Sequence, residues 1–464
     1  MGILAAYMVP HPPLIVPEIG GGAEGALQST VSAYKKAAED MAALGPDTIV
    51  IISPHQVMYA DYFHISPGAG AQGDLGQFRA EQVKFHVSYD EEFVCELCRQ
   101  TQAQGLFAGT MGVRGDQDRR LDHGTMVPLY FVNQRLRAYK LVRIGLSGLP
   151  LRMHYELGQC IQETAEILGR RTVVIASGDL SHRLREDGPY GFQKEGPEYD
   201  SRIMDVMGRG AFGELLEFSE DFREKAGECG HGSFTMMAGA LDRMAVKIQG
   251  LSYEGPFGVG YGICVYEAAG MDSRRNFLEQ YEGKEEERQR VLRDREDEYV
   301  SLARQAIETY VRTGTRLSLP VGLPGEMYDR RAGVFISVKE DGRLRGCMGT
   351  IQAVQSCVAE EIIQNAVSAC CRDPRFTPIE EKELKRLIIH VDVLKDAEPI
   401  HSRKQLDVKK YGVIVTKGAK RGLLLPNLEG VDEVEEQIAI AKKKAGIEDW
   451  EEAELERFEV IRHQ

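Results

Sequence analysis

The sequence predicts an α/β protein in two parts. A mixed or largely parallel sheet flanked by helices fills residues 1–279, a charged linker helix covers 280–298, and a smaller α+β domain follows over 299–464. Three observations lead there. A length of 464 residues exceeds what one hydrophobic core ordinarily organises. The first half alternates short β-branched apolar runs with longer helical patterns, which is the signature of strand–helix–strand units. The halves are separated by a stretch that is almost wholly charged.

In chain order, residues 3–9, 48–53, 140–147, 172–177 and 258–267 are apolar runs bounded by Gly, Pro or Asp, as buried strands are. Helical patterns occupy 26–44, 91–104, 154–168 and 233–246. Ligands of such a sheet bind outside the carboxyl ends of its strands. Over 280–298 opposite charges stand at helical spacing, Glu286 and Arg290 among them, so this segment is expected to be solvated and open to proteases. A helix continues over 299–312. Strands at 333–339, 387–394, 412–417 and 458–462, with helices at 355–371 and 431–445, do not repeat a βαβ order. Each half is expected to fold alone.

A formal net charge of −14 argues against nucleic-acid or anionic-membrane partners, which require a basic surface. The first 22 residues lack a basic leader, and Pro10, Pro12 and Pro13 break their apolar stretch, so a cytoplasmic location is expected. Nine cysteines are then most simply reduced thiols.

Four histidine motifs carry the chemistry: Pro10-His11-Pro12-Pro13, Ser53-Pro54-His55, Asp122-His123-Gly124 and Ser177-Gly178-Asp179-Leu180-Ser181-His182. Each is read as following a strand, so four imidazoles can meet at one sheet edge. Two neutral imidazoles with one anionic ligand form the facial set of non-haem Fe(II) sites. His11 and His55 supply the nitrogens. The anion comes from Glu228-Cys229-Gly230-His231, either as the Glu228 carboxylate or as the Cys229 thiolate; the residues alone leave both open. His123 and the Asp179/His182 pair would wall the metal and move protons, with His182 oriented either by Asp179 or by the backbone. His64, His86 and His154 lack such placement and are expected to be structural, while His231 fits either role.

These motifs, with Asp122 to Leu129 reading Asp-His-Gly-Thr-Met-Val-Pro-Leu, resemble the LigB-like class III extradiol dioxygenase and Memo superfamily over residues 1–270. The resemblance implies His11 and His55 as ligands of Fe(II), or of another divalent metal such as Zn or Cu. It implies His123 and His182 as acid/base or substrate-binding groups. Dioxygenases of this type use a glutamate as third ligand, whereas Memo proteins share the Cys-Gly found here, which points to Cys229 and away from ordinary catechol cleavage.

In the second half, Leu344 to Thr350 (Leu-Arg-Gly-Cys-Met-Gly-Thr), Arg372-Asp373-Pro374-Arg375-Phe376 and Gly422-Leu423-Leu424-Leu425-Pro426 resemble the AMMECR-type domain over 295–464. A fusion of the two is similar to the AmmeMemoRadiSam system, which implies a separate radical SAM protein as partner. This chain has no Cys-x-x-x-Cys-x-x-Cys with which to hold that partner's cluster. Arg345 and Cys347 either grip an anion or form a tight structural turn. Cys95 and Cys98 fall inside a helical pattern, Cys370-Cys371 ends one, and neither a Walker loop nor a credible dinucleotide fingerprint is present. The expected function is that of an iron-dependent oxidoreductase acting on an aromatic or related small-molecule substrate. The rivals are a non-catalytic metal-binding adaptor for the radical SAM enzyme and, more weakly, a metallohydrolase.

Overall fold

A strand buried on both faces reads as a near-continuous apolar run, and residues 3–9, 49–52 and 173–176 of this chain are such runs. A computed structural model describes residues 2–112, 119–428 and 430–464. In it Ile3–Val9 (β1), Thr48–Ser53 (β2), Gly70–Leu75 (β3), Ala80–Ser88 (β4), Lys140–Gly145 (β5), Thr172–Ser177 (β6), Met244–Glu254 (β7) and Tyr261–Met271 (β8) are the longer strands of the first half. Six of them form one sheet in the order β5-β2-β6-β1-β8-β7. The first four run parallel, and β8 and β7 are added antiparallel, so the sheet is mixed.

Alternation divides the strand side chains between two cores. Ala6, Met8, Val50, Ile52, Val174 and Ala176 face one core, which the helices Glu91–Ala103 (α1), Leu151–Ile167 (α2), Glu195–Arg209 (α3) and His231–Ala240 (α4) cover. Ala5, Tyr7, Val9, Ile49, Ile51, Val173 and Ile175 face the other, under the helices Gln28–Leu44 (α5) and His123–Val132 (α6). The α2 and α4 helices meet backbone to backbone: a Cβ on Gly158 would come 2.0 Å from Met236 O, and one on Gly239 would come 2.0 Å from Tyr155 O. That approach seats the start of α4 beside the end of β6.

Two expectations are corrected and one element is added. The segment 233–246 is not one helix: α4 ends at Ala240, Arg243 adopts a left-handed φ of 54°, and β7 begins at Met244. The β3–β4 hairpin was not expected, because its outward positions are polar and its alternation is weak. His123 does not follow a strand; it opens α6, with the Asp122 side chain accepting from Thr125 N–H as N-cap.

The chain divides into two compact units at Glu282 and Gly283. The division falls within the charged helix Phe277–Arg293, and Asp297 caps the next helix, Glu298–Thr313 (α7), by accepting from Tyr299 N–H and Val300 N–H. The end of the charged segment is more anchored than its composition suggests: Gln289 is buried, and Arg293 donates to Leu384 O at 3.0 Å and Lys385 O at 2.6 Å.

The second unit is built from two antiparallel four-stranded sheets. Val334–Glu340 (β9), Arg343–Gly349 (β10), Leu387–Leu394 (β11) and Val460–His463 (β16) make one, in the order β10-β9-β11-β16. Its inner residues Val334, Ile336, Val338, Ile389 and Val391 pack on α7 and Val358–Cys371 (α8). Glu398–Ile400 (β12), Gly412–Lys417 (β13), Lys420–Leu424 (β14) and Glu454–Phe458 (β15) make the other, covered by Val434–Ala445 (α9). Leu394, Ile414, Leu423 and Phe458 form the seam between the sheets. Among the described residues no helix is long and apolar enough to cross a membrane.

Candidate metal centre

Strands β1, β2 and β6 are neighbours or near neighbours and end at the same sheet edge, so the residues that follow them share one space. His11 comes from the turn after β1 and His55 from the turn after β2. Their Nε2 atoms are 2.9 Å apart. Cys229, from the loop before α4, brings its Sγ to 3.6 Å from His11 Nε2. One ligand atom from each of His11, His55 and Cys229 lies within 4.8 Å of the others. Bonded at about 2.1 Å through nitrogen and 2.3 Å through sulfur, ligands of a single ion stand roughly 3–4 Å apart, so the two measured separations fit this donor set.

Hydrogen bonds fix which nitrogen of His11 is free. Ser177 Oγ donates to Gly124 O at 2.6 Å, which uses its one proton, so it accepts from His11 Nδ1–H at 2.9 Å. His11 Nε2 therefore carries the lone pair that faces His55 and Cys229. Burial holds the His11 pKa well below the ordinary histidine range, with the surrounding imidazoles of His55, His123 and His182 adding to the effect. Burial also lowers His55, against the opposing charge of Asp122. Both shifts favour the neutral rings that ligation requires.

Burial and the nearby Asp179 push the Cys229 thiol well above its usual range, so this sulfur needs a metal to lose its proton. Asp179 N–H donates to Cys229 Sγ at 3.3 Å, and Cys229 N–H donates to Asp179 O at 3.4 Å. Glu228 turns elsewhere: its carboxylate accepts from His231 N–H at 2.7 Å at the start of α4 and pairs with Arg223 at 3.4 Å.

His123 and His182 flank this group. The His123 ring lies 4.0 Å from that of His55 and 5.4 Å from that of His11, centroid to centroid. Burial and the His55 ring lower its pKa to about 4. His182 Nδ1 donates to the carbonyl of Gly227, which leaves Nε2 as a base, and burial lowers its pKa. Of the two expected ways of orienting His182, by Asp179 or by the backbone, the structure shows the backbone, through Gly227, while Asp179 serves the His11 turn. It accepts from the His11 backbone N–H at 2.8 Å, and burial raises its own pKa to about 7. Phe78 meets the His123 ring edge-on at 5.5 Å and Tyr190 meets His182 at 5.2 Å, so aromatic edges bound both bases.

The remaining histidines separate cleanly. His231 is buried between Tyr199 OH at 3.0 Å and Leu215 O at 2.9 Å, away from the His11 group. His64 is buried and pairs with Met111 O, His154 pairs with Pro150 O, and His86 is exposed on β4. Ser177, Ser53 and Asp122 support the site, a role that their places in the histidine motifs do not by themselves announce. Asp122 accepts from Ser53 Oγ at 2.5 Å and from Thr125 Oγ1 at 2.8 Å, tying the end of β2 to α6. Serines ending two apolar strands beside histidine turns were the available signal.

Residues 5–264 match the family described as the catalytic LigB subunit of aromatic ring-opening dioxygenase. The chain belongs to the LigB family. Residues 300–463 match AMMECR1, so the LigB domain is followed by an AMMECR1 domain. The whole chain is 40% identical to protein CA_C1420 of Clostridium acetobutylicum, an alignment covering 99% of that protein. A Thermotoga maritima protein is 49% identical over 36% of this chain and 98% of its own length. The crystal structure of protein PH0010 from Pyrococcus horikoshii is 31% identical, covering 35% of this chain and 88% of that one, with a TM-score of 0.34. LigB dioxygenases use a metal, and this LigB domain gathers a His-His-Cys set where one can bind.

In the AMMECR1 domain Arg345 proves to be a fastener. It makes two bonds to Glu383, at 2.6 and 3.2 Å, and donates to Thr377 O and Pro378 O. These four bonds leave one of the five guanidinium N–H groups, too few to seize an anion in a bidentate grip.

Proposed function

We propose that this LigB-family protein is a non-haem Fe(II) oxidoreductase of the dioxygenase or Memo type, acting on a small planar aromatic or related molecule. The observation that carries the reading is the convergence of His11, His55 and Cys229 with two further neutral imidazoles, His123 and His182. Bound by His11, His55 and Cys229, an Fe(II) ion would supply a centre at which substrate and oxidant are brought together.

The chain's own residues would do the rest. Ser177 holds His11 in the tautomer that presents Nε2, and Asp179 fixes its backbone. His182 Nε2 takes a proton from substrate and returns it, while Gly227 O keeps its other nitrogen protonated. His123, kept neutral by burial, accepts a hydrogen bond from a substrate hydroxyl and carries no charge to repel the ion. Phe78 and Tyr190 offer edges to a planar ring.

The separate radical SAM protein is proposed as the partner that supplies or consumes the molecule handled here. A thiolate ligand also suits Zn or Cu, and it favours a second reading in which the site carries metal for that partner without turnover. Anaerobic purification with metal analysis, followed by a substrate screen with and without the partner, separates the two. One equivalent of iron and turnover that His182→Ala lowers by roughly 10²–10⁴-fold are expected. Stoichiometric metal with no turnover under either condition would overturn the enzymatic reading.

A further inference from the structure

The second sheet of the AMMECR1 domain carries a feature that the histidine site does not use. An open groove of about 710 Å³ runs between α9, β12 and the start of β15. Its floor is apolar, made by Ile400, Ile438 and Leu455. Trp450, the single tryptophan of the chain, stands in its wall and is 83% exposed.

That exposure does not come from a loose loop. Lys442, buried on α9, donates to Asp449 O at 2.8 Å and to Glu451 O at 2.6 Å, the carbonyls on either side of Trp450. Glu448 N–H donates to the Glu451 carboxylate at 3.0 Å, and the same carboxylate pairs with Lys417. The backbone that carries the indole is therefore fixed, and a side chain that water disfavours is presented to water by a built frame.

Charge is distributed unevenly around it. Asp449, Glu452 and Glu454 line the groove, all three exposed, and none forms an ion pair among the described residues. The other carboxylates of the lining are already matched, Glu451 by Lys417 and Glu456 by Arg421. Against the three, the exposed wall offers one guanidinium, that of Arg403, and one imidazole, that of His401, while the Lys442 ammonium lies beneath the loop. The solvent-facing side of the groove is left negative beside an open indole face.

We propose that this groove is the docking site for a basic segment of a partner protein, with an arginine or lysine lying over Trp450 and an apolar neighbour on the Ile438 floor. Each part of the segment meets a matching part of the groove. An aromatic face attracts a cation, the three carboxylates draw it in, and the floor takes the apolar side chain as a central anchor. A wholly apolar partner would leave the carboxylates unanswered. An anionic membrane, another surface that an exposed tryptophan suits, would be repelled by them. The assignment is independent of any metal at His11, His55 and Cys229.

Because Trp450 is the single tryptophan, its fluorescence in the intact protein reports on this groove alone. The probes are short capped peptides of alternating Arg and Leu, with Gln–Leu and Glu–Leu counterparts. The Arg–Leu peptide is expected to shift the Trp450 emission saturably to the blue. At low salt it should bind at least about tenfold more tightly than the Gln–Leu peptide, and about 0.5 M salt should narrow that gap by screening exposed charges. The Glu–Leu peptide should not bind. Anisotropy of a labelled Arg–Leu peptide reads the variants: Trp450→Ala, and Glu452→Lys combined with Glu454→Lys, should each weaken binding at least about tenfold. These side chains are exposed, so the variants should keep the circular dichroism spectrum of the parent. Equal affinity for the Arg–Leu and Gln–Leu peptides, no saturable binding of any peptide, or binding indifferent to Trp450→Ala would overturn the proposal. So would an emission shift produced by protein concentration alone, which would give the groove to a second copy, or one produced by phosphatidylcholine vesicles and by no peptide.

Discussion

Asp179 is bonded to the backbone N–H of His11 at 2.8 Å, and it is the backbone of Gly227 that holds the ring of His182. The carboxylate therefore serves the ligand side of the site. Removing it should displace the turn that carries His11. Asp179→Ala is expected to weaken metal binding about 10–100-fold, the usual worth of a group behind a ligand, while Asp179→Asn keeps an acceptor and loses less. Titration with Fe(II) or Co(II) under anaerobic conditions checks this; equal affinity in all three proteins would show that the His11 turn needs no such support.

His11→Ala combined with His55→Ala should abolish stoichiometric metal and leave the circular dichroism spectrum intact. Retained metal in the double variant would place the ion elsewhere.

The roles of the adjacent residues 228 and 229 are opposite. Cobalt-loaded protein should show a sulfur-to-metal charge-transfer band that Cys229→Ser removes. Glu228→Gln should keep both metal and band, because the carboxylate caps α4 at His231 and faces Arg223. Loss of metal in Glu228→Gln with no sulfur band in the parent would reverse the assignment.

His182→Ala should lower turnover by roughly 10²–10⁴-fold, the worth of a positioned acid or base, with metal still bound. Joint loss of metal and activity would make His182 a ligand.

Stability of the first unit should fall as pH rises from about 4 to about 7 because of Asp200. Burial holds its carboxyl up to about 7, against hydrogen bonds from Ser181 N–H and Tyr253 OH, both at 2.8 Å. In the unfolded chain the same group titrates near 3.9. Between those values the folded form keeps a proton that the unfolded form has released. The contribution is thus complete below about pH 4 and is lost as pH rises through 7. Asp200→Asn should flatten the change in urea midpoint between pH 5 and pH 8; parallel profiles would mean that Asp200 is ionised throughout.

In the AMMECR1 domain, Arg345→Ala leaves the nearly buried Glu383 unpaired and should cost about 3–5 kcal/mol in denaturant unfolding. Arg345→Lys should recover little, since an ammonium cannot reach the carboxylate and two carbonyls together. A shift below 1 kcal/mol in both would show that the pair is replaceable.

Three of the parallel strands were legible in the sequence because both their faces are buried, so nothing polar interrupts β2 between Thr48 and Ser53 or β6 between Thr172 and Ser177, and β1 is apolar apart from the Tyr7 hydroxyl. His11 and His55 followed from those strand ends. The β7 strand was not legible: α4 is only ten residues long, and the reversal at Arg243 leaves no glycine or proline to mark it. The choice between Glu228 and Cys229 was beyond any periodicity, since adjacent loop residues point apart for reasons that lie in Arg223 and Asp179. A shared motif leaves open whether Asp179 or the backbone orients His182, and only the folded turn shows Asp179 at the His11 N–H and Gly227 O at the His182 ring.

Gly178 and Gly230 touch without side chains between them: a Cβ on Gly178 would stand 2.1 Å from Gly230 Cα. The loop carrying Cys229 is thereby clamped directly against the loop carrying Asp179, backbone on backbone. Nothing compressible lies in the joint, so the spacing between the sulfur and the two imidazoles is inherited from the main chain and cannot easily breathe to suit an ion of another radius. Discrimination among divalent metals would then come from the stiffness of the frame as much as from its donor atoms, and a single methyl group at position 178 would act as a wedge that retunes it.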